Sequence, residues 1–448
     1  MTPTQKLFGT DGVRGVAGEV LTAELATALG HAAAETSEVE RPQVLVVRDT
    51  RDSGPMLEAA LAAGIAQGGG DALLAGVLPT PAASVLVRRH GLDLAAVVSA
   101  SHNPWRDNGI KFFGADGTKL DGASEERLEA FVHERLEGEA AARGARHAAE
   151  TLGRVETLEA ALADYVRELQ SAFGLDLSGR KVALDCAHGA TYRAAPLAFE
   201  RLGAEVEVIG ADPDGRNINE GVGSTHPEAL AQHVAGTGAE IGFAFDGDGD
   251  RVLAVDGTGA VRDGDELIAI AARHLSDAGR LSGGIAVTVM TNYGFHQAMD
   301  EAGIEVATTD VGDRHVWAAL RDRDWTLGGE QSGHIIWTGF APTGDGIAAA
   351  LLTLASLGPG KLADAHPFKR LPQLLQNVEV SDRGAVAGAR ELWEAVEREN
   401  EGLAGRGRVL VRPSGTEPLV RVMVEAPEEA ECDAVCGRLV ALVERELG

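Results

Sequence analysis

Short runs of apolar, often β-branched residues alternate with helical stretches along most of this 448-residue chain. The apolar runs predict buried strands at residues 43–48, 94–99, 181–186, 240–245 and 285–290. Between them, apolar side chains within residues 155–173 recur every three or four positions, which predicts a helix. This alternation is typical of βαβ units built on parallel or mixed sheets. We therefore expect an α/β fold whose ligands bind beyond the carboxyl ends of the strands.

Changes in the pattern predict four domains. Their expected limits are residues 1–153, 154–257, 258–368 and 369–448. The first three are similar enough to be related α/β units. The last follows a different order, with predicted strands at 374–380, 408–412 and 419–425 and helices at 386–400 and 428–447. We therefore expect a smaller α+β domain at the C-terminal end.

The charge and the apolar pattern exclude several classes of protein. The formal net charge is −28, which opposes binding to nucleic acids or to anionic membrane surfaces. The longest apolar stretch, around residues 347–357, is shorter than the roughly 18 residues that a transmembrane helix needs. The N-terminal residues lack the apolar segment of a signal peptide, and three cysteines are few for a disulfide framework. We expect a cytoplasmic protein.

The most specific local signal is an acidic loop after the predicted strand at 240–245. Asp246, Asp248 and Asp250 alternate with glycines, so their side chains point to one side of an extended backbone. Three carboxylates this close repel one another unless a cation lies between them, and hard oxygen ligands suit Mg²⁺ or Ca²⁺. An EF-hand does not fit, because Arg251 and Gly257 occupy the positions that require glycine and glutamate. We prefer a magnesium site to a solvated acidic turn.

A second loop follows the predicted strand at 94–99. Ser101 is a candidate nucleophile or phosphate carrier there, although an ordinary Asn-Pro turn is an alternative interpretation of the loop alone. Its neighbour His102 is poorly placed for a simple Ser-His pair, because the two residues are adjacent in sequence. Lys111 follows shortly afterwards and is a candidate cation or proton donor, with a solvated surface lysine as the alternative.

Two further loops contain groups that recognise phosphate or sugar. Arg412 and Arg421 flank a loop with hydroxyl groups and a flexible glycine, a set that can surround a phosphate; the loop residues are Ser414, Gly415 and Thr416. A polar hairpin is the alternative there. Glu330 and Ser332 lie between glycines and can reach sugar hydroxyls, while His334 titrates near neutral pH or serves a structural role. Walker A and strand-linked G-x-G-x-x-G patterns are absent from the sequence.

Taken together and in order, these loops resemble the α-D-phosphohexomutase superfamily almost from end to end. The matching motifs are FGTDGVRG from Phe8, SASHNPWRDNGIKFF from Ser99, DCAHGATY from Asp185, NINEGVGSTHPE from Asn217, FDGDGDR from Phe245, VMTNYG from Val289, VGDRHV from Val311, GGEQSGH from Gly328 and RPSGTEP from Arg412. Within the superfamily, Gln331 resembles the branch that acts on glucosamine phosphates, since the phosphomannomutase/phosphoglucomutase branch typically has methionine there.

The resemblance implies three related α/β domains and a smaller C-terminal domain around a central cleft. It also implies isomerisation of glucosamine 6-phosphate and glucosamine 1-phosphate, an early step towards the amino-sugar nucleotide used in cell-wall synthesis. Ser101 would be the phosphoserine, and one Mg²⁺ per chain would be held by its phosphate with Asp246, Asp248 and Asp250. The family also suggests a homodimer.

The remaining roles implied by the resemblance concern the substrate. Arg251 would position the phosphoryl group, and Glu330 and Ser332 would bind sugar hydroxyls. Lys111, His334 and Arg14 would assist proton transfer and charge stabilisation. The non-reacting phosphate would be bound by Arg412, Ser414, Gly415, Thr416 and Arg421.

Three alternatives stay open at this point. The first is a phosphomannomutase or phosphoglucomutase of the same superfamily. The second is a non-catalytic phosphosugar-binding protein that has kept the cleft. The third is a magnesium-dependent phosphatase that uses an aspartyl nucleophile and releases free phosphate.

Overall fold

The computed structural model describes residues 6–9, 11–136, 151–413 and 418–448. Over these residues the chain forms four β-sheets that are flanked by helices. Two compact units can be distinguished, one comprising Met1–Val289 with Ala307–Ala365 and the other Met290–Val306 with His366–Gly448. The first three sheets follow the predicted α/β pattern, and the fourth belongs to the smaller α+β arrangement.

The first sheet has six strands in the order β1-β5-β4-β2-β3-β6. Its strands are β1 Val13–Val16, β2 Gln43–Arg48, β3 Asp71–Val77, β4 Leu94–Val98, β5 Asp107–Gly114 and β6 Val155–Thr157. Strand β2 is parallel to β3 and β4, whereas β5 is antiparallel to β1 and β4. The accompanying helices are α1 Ala23–Glu35, α2 Gly54–Gln67, α3 Thr80–His90 and α4 Gly122–Leu136.

Helices α1 and α2 pack unusually closely because each contributes a glycine to the contact. A Cβ atom at Gly30 would lie 2.1 Å from the carbonyl oxygen of Leu61, and one at Gly64 would lie 2.1 Å from that of Thr27. Any larger side chain at either position would push the two helices apart.

The second sheet has the order β11-β10-β9-β7-β8. Its strands are β7 Lys181–Asp185, β8 Glu205–Ile209, β9 Ile241–Phe245, β10 Val252–Asp256 and β11 Val261–Arg262. The nearby helices are α5 Ala161–Phe173, α6 Ala194–Arg201 and α7 Glu228–Thr237. All five residues of β9 are buried, and the strand ends directly before Asp246. The acidic loop thus lies at the carboxyl end of the central strand of this sheet.

The third sheet has the order β13-β12-β14-β15. Its strands are β12 Ile285–Thr288, β13 Val306–Thr309, β14 Leu327–Gly329 and β15 Ile335–Trp337. The helices of this part of the chain are α8 Gly264–Asp277, α9 Tyr293–Glu301, α10 Asp313–Arg323 and α11 Gly346–Leu357. Helix α8 begins with a capping box, in which Asp263 accepts from Glu266 N–H and the Glu266 carboxylate accepts from Asp263 N–H.

The fourth sheet is antiparallel and has the order β16-β18-β17. Its strands are β16 Gln373–Glu379, β17 Arg408–Pro413 and β18 Leu419–Glu425, and its helices are α12 Arg390–Leu403 and α13 Glu429–Leu447. Short 3₁₀ helices occupy Leu362–Asp364 and Arg383–Gly388. Valines and leucines of the sheet and both helices form one buried cluster, which gives this region a core of its own.

Two predicted helices begin later than the sequence pattern indicated. Residues 155–157 form strand β6 instead of the first turn of a helix, because they pair in parallel with Ala72–Leu74 at the edge of the first sheet. Main-chain pairing with a distant strand outweighs the local apolar spacing there. The helix predicted for 386–400 begins at Arg390, after the 3₁₀ segment.

None of the helices in the described ranges is both long and apolar enough to traverse a lipid bilayer.

Candidate active site

The serine loop begins where strand β4 ends. Ser101 is 3% exposed and has a φ of 52°, a conformation that is uncommon for residues other than glycine. Its hydroxyl donates to Asp246 Oδ2 at 2.6 Å. The predicted poor placement of His102 is wrong, because its Nδ1 lies 3.2 Å from the same Oγ. Burial, followed by the charge of Arg251, lowers the pKa of His102.

The acidic loop carries its three carboxylates close together. Ligand atoms of Asp246, Asp248 and Asp250 all lie within 4.8 Å of one another, and all three residues are buried. Burial, and then the charges of Asp248 and Asp250, raise the pKa of Asp246 well above its usual value. Gly247 allows the loop to approach the serine loop, since a Cβ there would lie 2.6 Å from Ser101 O.

This carboxylate cluster fits a divalent metal ion. Within the described part of the chain, Asp248 Oδ1 and Asp250 Oδ1 are buried without a hydrogen-bond partner. Unpaired buried carboxylate oxygens are costly unless a cation compensates them. An all-oxygen donor set of this kind suits Mg²⁺, which usually binds to one or two carboxylates together with phosphate oxygens.

Two basic side chains border the carboxylates. The buried Lys111 Nζ lies 2.9 Å from Asp248 Oδ2 and 3.8 Å from Asp250 Oδ2. Burial alone would lower the pKa of Lys111, but Asp11, Asp248 and Asp250 raise it above its usual value. Burial likewise opposes the ionisation of Asp248, yet Lys111 holds the pKa of that carboxyl below its usual value. Arg251 Nε lies 3.9 Å from Asp250 Oδ1.

The predicted sugar loop lies beside this cluster. The buried Glu330 accepts from Gly312 N–H at 3.0 Å, while Ser332 is exposed. His334 Nδ1 lies 3.7 Å from Asp250 Oδ2, and His334 forms an isolated β-bridge with Arg251. Burial would lower the pKa of His334, but Asp250, followed by Asp313 and Glu330, raises it.

Arg14 is linked to the site through Asp11. Its guanidinium contacts Asp11, whose carboxylate lies 3.9 Å from Lys111 Nζ. The first compact unit therefore brings the predicted catalytic side chains to one cluster of carboxylates, Arg14 through Asp11, whereas the exposed Ser332 has no contact with the cluster among the described hydrogen bonds.

The predicted phosphate loop belongs to the second compact unit. Arg412 on β17 and Arg421 on β18 are direct cross-strand partners, so their backbones are adjacent. Arg412 Nη2 also lies 3.6 Å from Met290 Sδ. Ser414, Gly415 and Thr416 lie outside the described residues.

The sequence pattern missed a row of alternating charges. Lys119 contacts both Asp11 and Asp313, and Asp313 lies 4.0 Å from His334 Nε2. Burial raises the pKa of Asp313, but Lys119 and His334 outweigh it and lower the pKa to about 2. Asp11 and Asp313 lie in the quoted motifs, whereas Lys119 carried no local signal.

Two polar residues that support the loops were also missed. Thr80, at the start of α3, donates from Oγ1 to Asp248 Oδ2 at 2.6 Å. Asn219 has a φ of 61° and donates from Nδ2 to Ser101 O at 3.0 Å. Asn219 lies within a quoted motif, but nothing in its spacing indicated that it would reach the serine loop.

Comparison with known proteins places this arrangement in a family. Models of phosphoglucomutase/phosphomannomutase match in chain order: α/β/α domain I at residues 5–139, domain II at 163–259, domain III at 263–376 and the C-terminal domain at 375–442. A phosphoglucosamine mutase of Desulforudis audaxviator is 50% identical over 98% of this chain and 97% of its own length. One from Moorella thermoacetica is 49% identical over 97% and 98%.

Solved structures share the fold. A phosphoglucomutase/phosphomannomutase family protein of Burkholderia thailandensis has a TM-score of 0.81 and 26% identity, covering 99% of this chain and 98% of its own. The N-acetylphosphoglucosamine mutase of Aspergillus fumigatus, solved with GlcNAc-6P and magnesium, has a TM-score of 0.67 and 18% identity, covering 100% and 97%. These matches confirm the predicted fold class and family: the chain belongs to the phosphoglucosamine mutases of the α-D-phosphohexomutase superfamily.

Proposed function

We propose that this protein interconverts glucosamine 6-phosphate and glucosamine 1-phosphate by passing a phosphoryl group between Ser101 and the sugar. The observation that carries the proposal is the buried Ser101 hydroxyl, which bonds directly to the metal-binding carboxylate cluster. Relatives at about 50% identity over nearly the whole chain, named phosphoglucosamine mutases, support an isomerase for amino-sugar phosphates.

The reaction requires two phosphoryl transfers. In the first, the bond between phosphorus and the Ser101 oxygen breaks and a new bond forms to the free hydroxyl of the sugar phosphate. That hydroxyl loses its proton, and the Ser101 oxygen takes one up. The product is a sugar bisphosphate and an unmodified Ser101. After the bisphosphate turns around, the bond between its other phosphoryl group and the sugar breaks and a new bond to the Ser101 oxygen forms. The Ser101 hydroxyl loses its proton, the sugar oxygen takes one up, and the isomeric monophosphate leaves.

Asp246, Asp248 and Asp250, together with an oxygen on phosphorylated Ser101, would hold one Mg²⁺, which neutralises charge on the transferred phosphoryl group. Positioning and charge neutralisation are the main tasks of a protein in this chemistry. Lys111, which contacts Asp248 and Asp250, contributes positive charge and assists proton transfer.

The remaining side chains bind or orient the sugar. Glu330 accepts hydrogen bonds from its hydroxyls, and Ser332 accepts or donates them. Arg251 orients the phosphoryl group. Despite its burial, His334 has a pKa that Asp250 raises, and it assists proton transfer, while Arg14 orients Asp11 next to Lys111. In the second compact unit, Arg412 and Arg421 bind the non-reacting phosphate with the help of Ser414, Gly415 and Thr416.

The proposed location, oligomeric state and partners rest on the family and on the composition of the chain. We place the enzyme in the cytoplasm as a homodimer that supplies amino-sugar nucleotide synthesis, with no nucleic-acid or membrane partner. We also propose domain limits at 1–153, 154–257, 258–368 and 369–448, each of which contains most of one matched family model. Light scattering of the purified protein measures the oligomeric state.

The activity is tested by ³¹P NMR of the purified protein with Mg²⁺ and glucosamine 1-phosphate. We expect conversion to glucosamine 6-phosphate, with a higher kcat/KM than for glucose or mannose phosphates. Faster turnover of glucose 1-phosphate would assign the chain to the phosphoglucomutase branch. Release of free phosphate at a comparable rate would indicate a phosphatase, and binding without turnover would leave a phosphosugar-binding protein.

A further inference from the structure

A fully buried arginine lies under the serine loop. Arg51 follows strand β2, and its side chain is 0% exposed. Its Nη2 donates to the carbonyl oxygens of Ser101 at 2.8 Å and Asn103 at 2.9 Å. Its Nη1 donates to those of Pro104 and, at 3.0 Å, Asp107. One guanidinium therefore binds four backbone carbonyls of the same loop.

Asp49 fixes the orientation of this guanidinium. Arg51 Nε donates to Asp49 Oδ2 at 2.8 Å, and the backbone N–H of Arg51 donates to Oδ1 at 3.0 Å. The planar donor fork of arginine allows these bonds to form together with those to the loop. The carboxylate and the guanidinium thus form one rigid, charge-balanced pair.

The same pair reaches the other side of Ser101 through a second serine. Ser99 Oγ donates to Asp49 Oδ2 at 2.6 Å and accepts from the backbone N–H of Ser101 at 3.0 Å. Both main-chain polar groups of Ser101 are therefore held, the carbonyl by Arg51 and the N–H through Ser99. A residue with a side chain needs such support to stay at a φ of 52°.

We infer that Arg51 is a positioning residue for phosphoryl transfer, acting through the serine loop to aim Ser101 Oγ at the carboxylate cluster. The inference rests on the proposed function, since it assumes that Ser101 carries the phosphoryl group. The effect of Arg51 on Ser101 depends on the geometry of its guanidinium, whose N–H groups donate to several separate carbonyls. Lysine keeps the positive charge beside Asp49 but has only three N–H donors on one atom, too few to hold four separated carbonyls.

The test compares Arg51→Lys with Arg48→Lys in steady-state isomerisation of glucosamine 1-phosphate. Arg48 is the control: it ends the strand that precedes Arg51 and donates to Glu58 and to the carbonyl of Asp49. For Arg51→Lys we expect kcat to fall about 100-fold with KM changed less than about 2-fold, because a misplaced nucleophile loses only transition-state stabilisation. Arg48→Lys should retain the wild-type kcat.

Wild-type kcat in a folded Arg51→Lys protein, or an equal loss in Arg48→Lys, would overturn the inference. If Arg51→Lys does not fold, as judged by circular dichroism, Ser99→Ala decides the question. That variant removes the partner of the Ser101 N–H and should lower kcat about 10-fold at unchanged KM; a wild-type kcat would contradict the positioning role. Failure of the proposed function is distinguishable, because the wild-type protein itself would then not isomerise the sugar.

Discussion

The two compact units hold their predicted functional charges in different environments. In the first unit, Ser101, Lys111 and the carboxylate cluster are buried and contact one another. In the second unit, Arg412 and Arg421 are half-buried on neighbouring strands, beside a loop outside the described residues. Buried charges of opposite sign are fixed in place and suit transition-state stabilisation, whereas accessible cations suit the capture of an anionic ligand. We therefore expect substitutions of Ser101, Lys111 and the carboxylate cluster to lower kcat, and substitutions of Arg412 and Arg421 to raise KM.

The largest effect should come from Ser101→Ala. Loss of the phosphate carrier should reduce turnover to less than about 10⁻³ of the wild-type value, with little change in stability. A coupled assay for glucosamine 6-phosphate measures the loss. Ser84→Ala is a matched control, because Ser84 is another buried serine in the same unit and its hydroxyl donates to the carbonyl of Gly117. Near-normal activity of Ser101→Ala would exclude the phosphoserine mechanism.

Asp248→Asn should have the next largest effect. The substitution removes one charge of the carboxylate cluster that we propose binds Mg²⁺, and it removes the ionic partner of Lys111, so we expect kcat to fall about 100-fold. Titration with Mg²⁺ should show that the variant needs a higher Mg²⁺ concentration for half-maximal activity. Chelation of the metal should abolish wild-type turnover.

Asp256→Asn is the control for loss of a buried carboxylate in the same sheet. Asp256 is 1% exposed and pairs with Arg262, so its replacement should reduce thermal stability while leaving the dependence on Mg²⁺ unchanged. An equal change in both variants would show that the effect of Asp248 is not specific to the metal site.

Arg421→Ala should produce a smaller effect of the opposite kind. Loss of one charge-assisted contact to the non-reacting phosphate should raise KM about 10-fold, with a lesser change in kcat. Arg438→Ala is the control, since Arg438 pairs with Glu399 on the neighbouring helix of the same unit. If Arg421→Ala lowered kcat alone, the functional contrast between the two units would fail.

A change in stability, and not in kcat or KM, is expected from a buried carboxyl group of the first unit. Burial raises the pKa of Asp345 from 3.8 to about 6, although it accepts bonds from Ala348 N–H and the Tyr165 hydroxyl. The folded protein thus binds this proton more tightly than the unfolded chain, and stability falls as the pH rises from about 4 to about 6. The difference corresponds to about 3 kcal/mol in the free energy of unfolding.

Thermal melts across this pH range measure the effect of Asp345. The melting temperature of the wild-type protein should fall by a few degrees relative to that of Asp345→Asn, which has no carboxyl group to titrate. The exposed Asp277→Asn should follow the wild-type curve. Parallel curves for wild type and Asp345→Asn would show that this group does not lower stability at neutral pH.

The sequence predicted those strands, helices and loops that a continuous run of residues specifies by its own apolar spacing or residue types. The strand at 43–48, the acidic loop after the strand at 240–245 and the order of elements in the C-terminal region are confirmed. Each is a continuous segment whose apolar period or residue types carry the signal. The family and its isomerase activity towards amino-sugar phosphates followed from several such motifs in order.

The interactions between distant segments could not be predicted in this way. Residues 155–157 form a strand by pairing with Ala72–Leu74. These partners lie more than eighty positions earlier in the sequence, so the local pattern does not reveal the pairing. Lys119 joins Asp11 to Asp313, and Arg51 supports Ser101, only after the sheets bring these segments together. A single arginine or lysine in a sequence carries no information about such partners, so a surface position is its default interpretation.

Peptide mapping by mass spectrometry tests the central claim most directly. Purified protein should carry the mass of one phosphoryl group on the peptide that contains Ser101. Rapid quenching after mixing with glucosamine 6-phosphate and Mg²⁺ should show a transient loss of that mass while sugar bisphosphate forms, because the second transfer restores it. An unmodified Ser101 in protein that isomerises the sugar at its full rate would contradict the account.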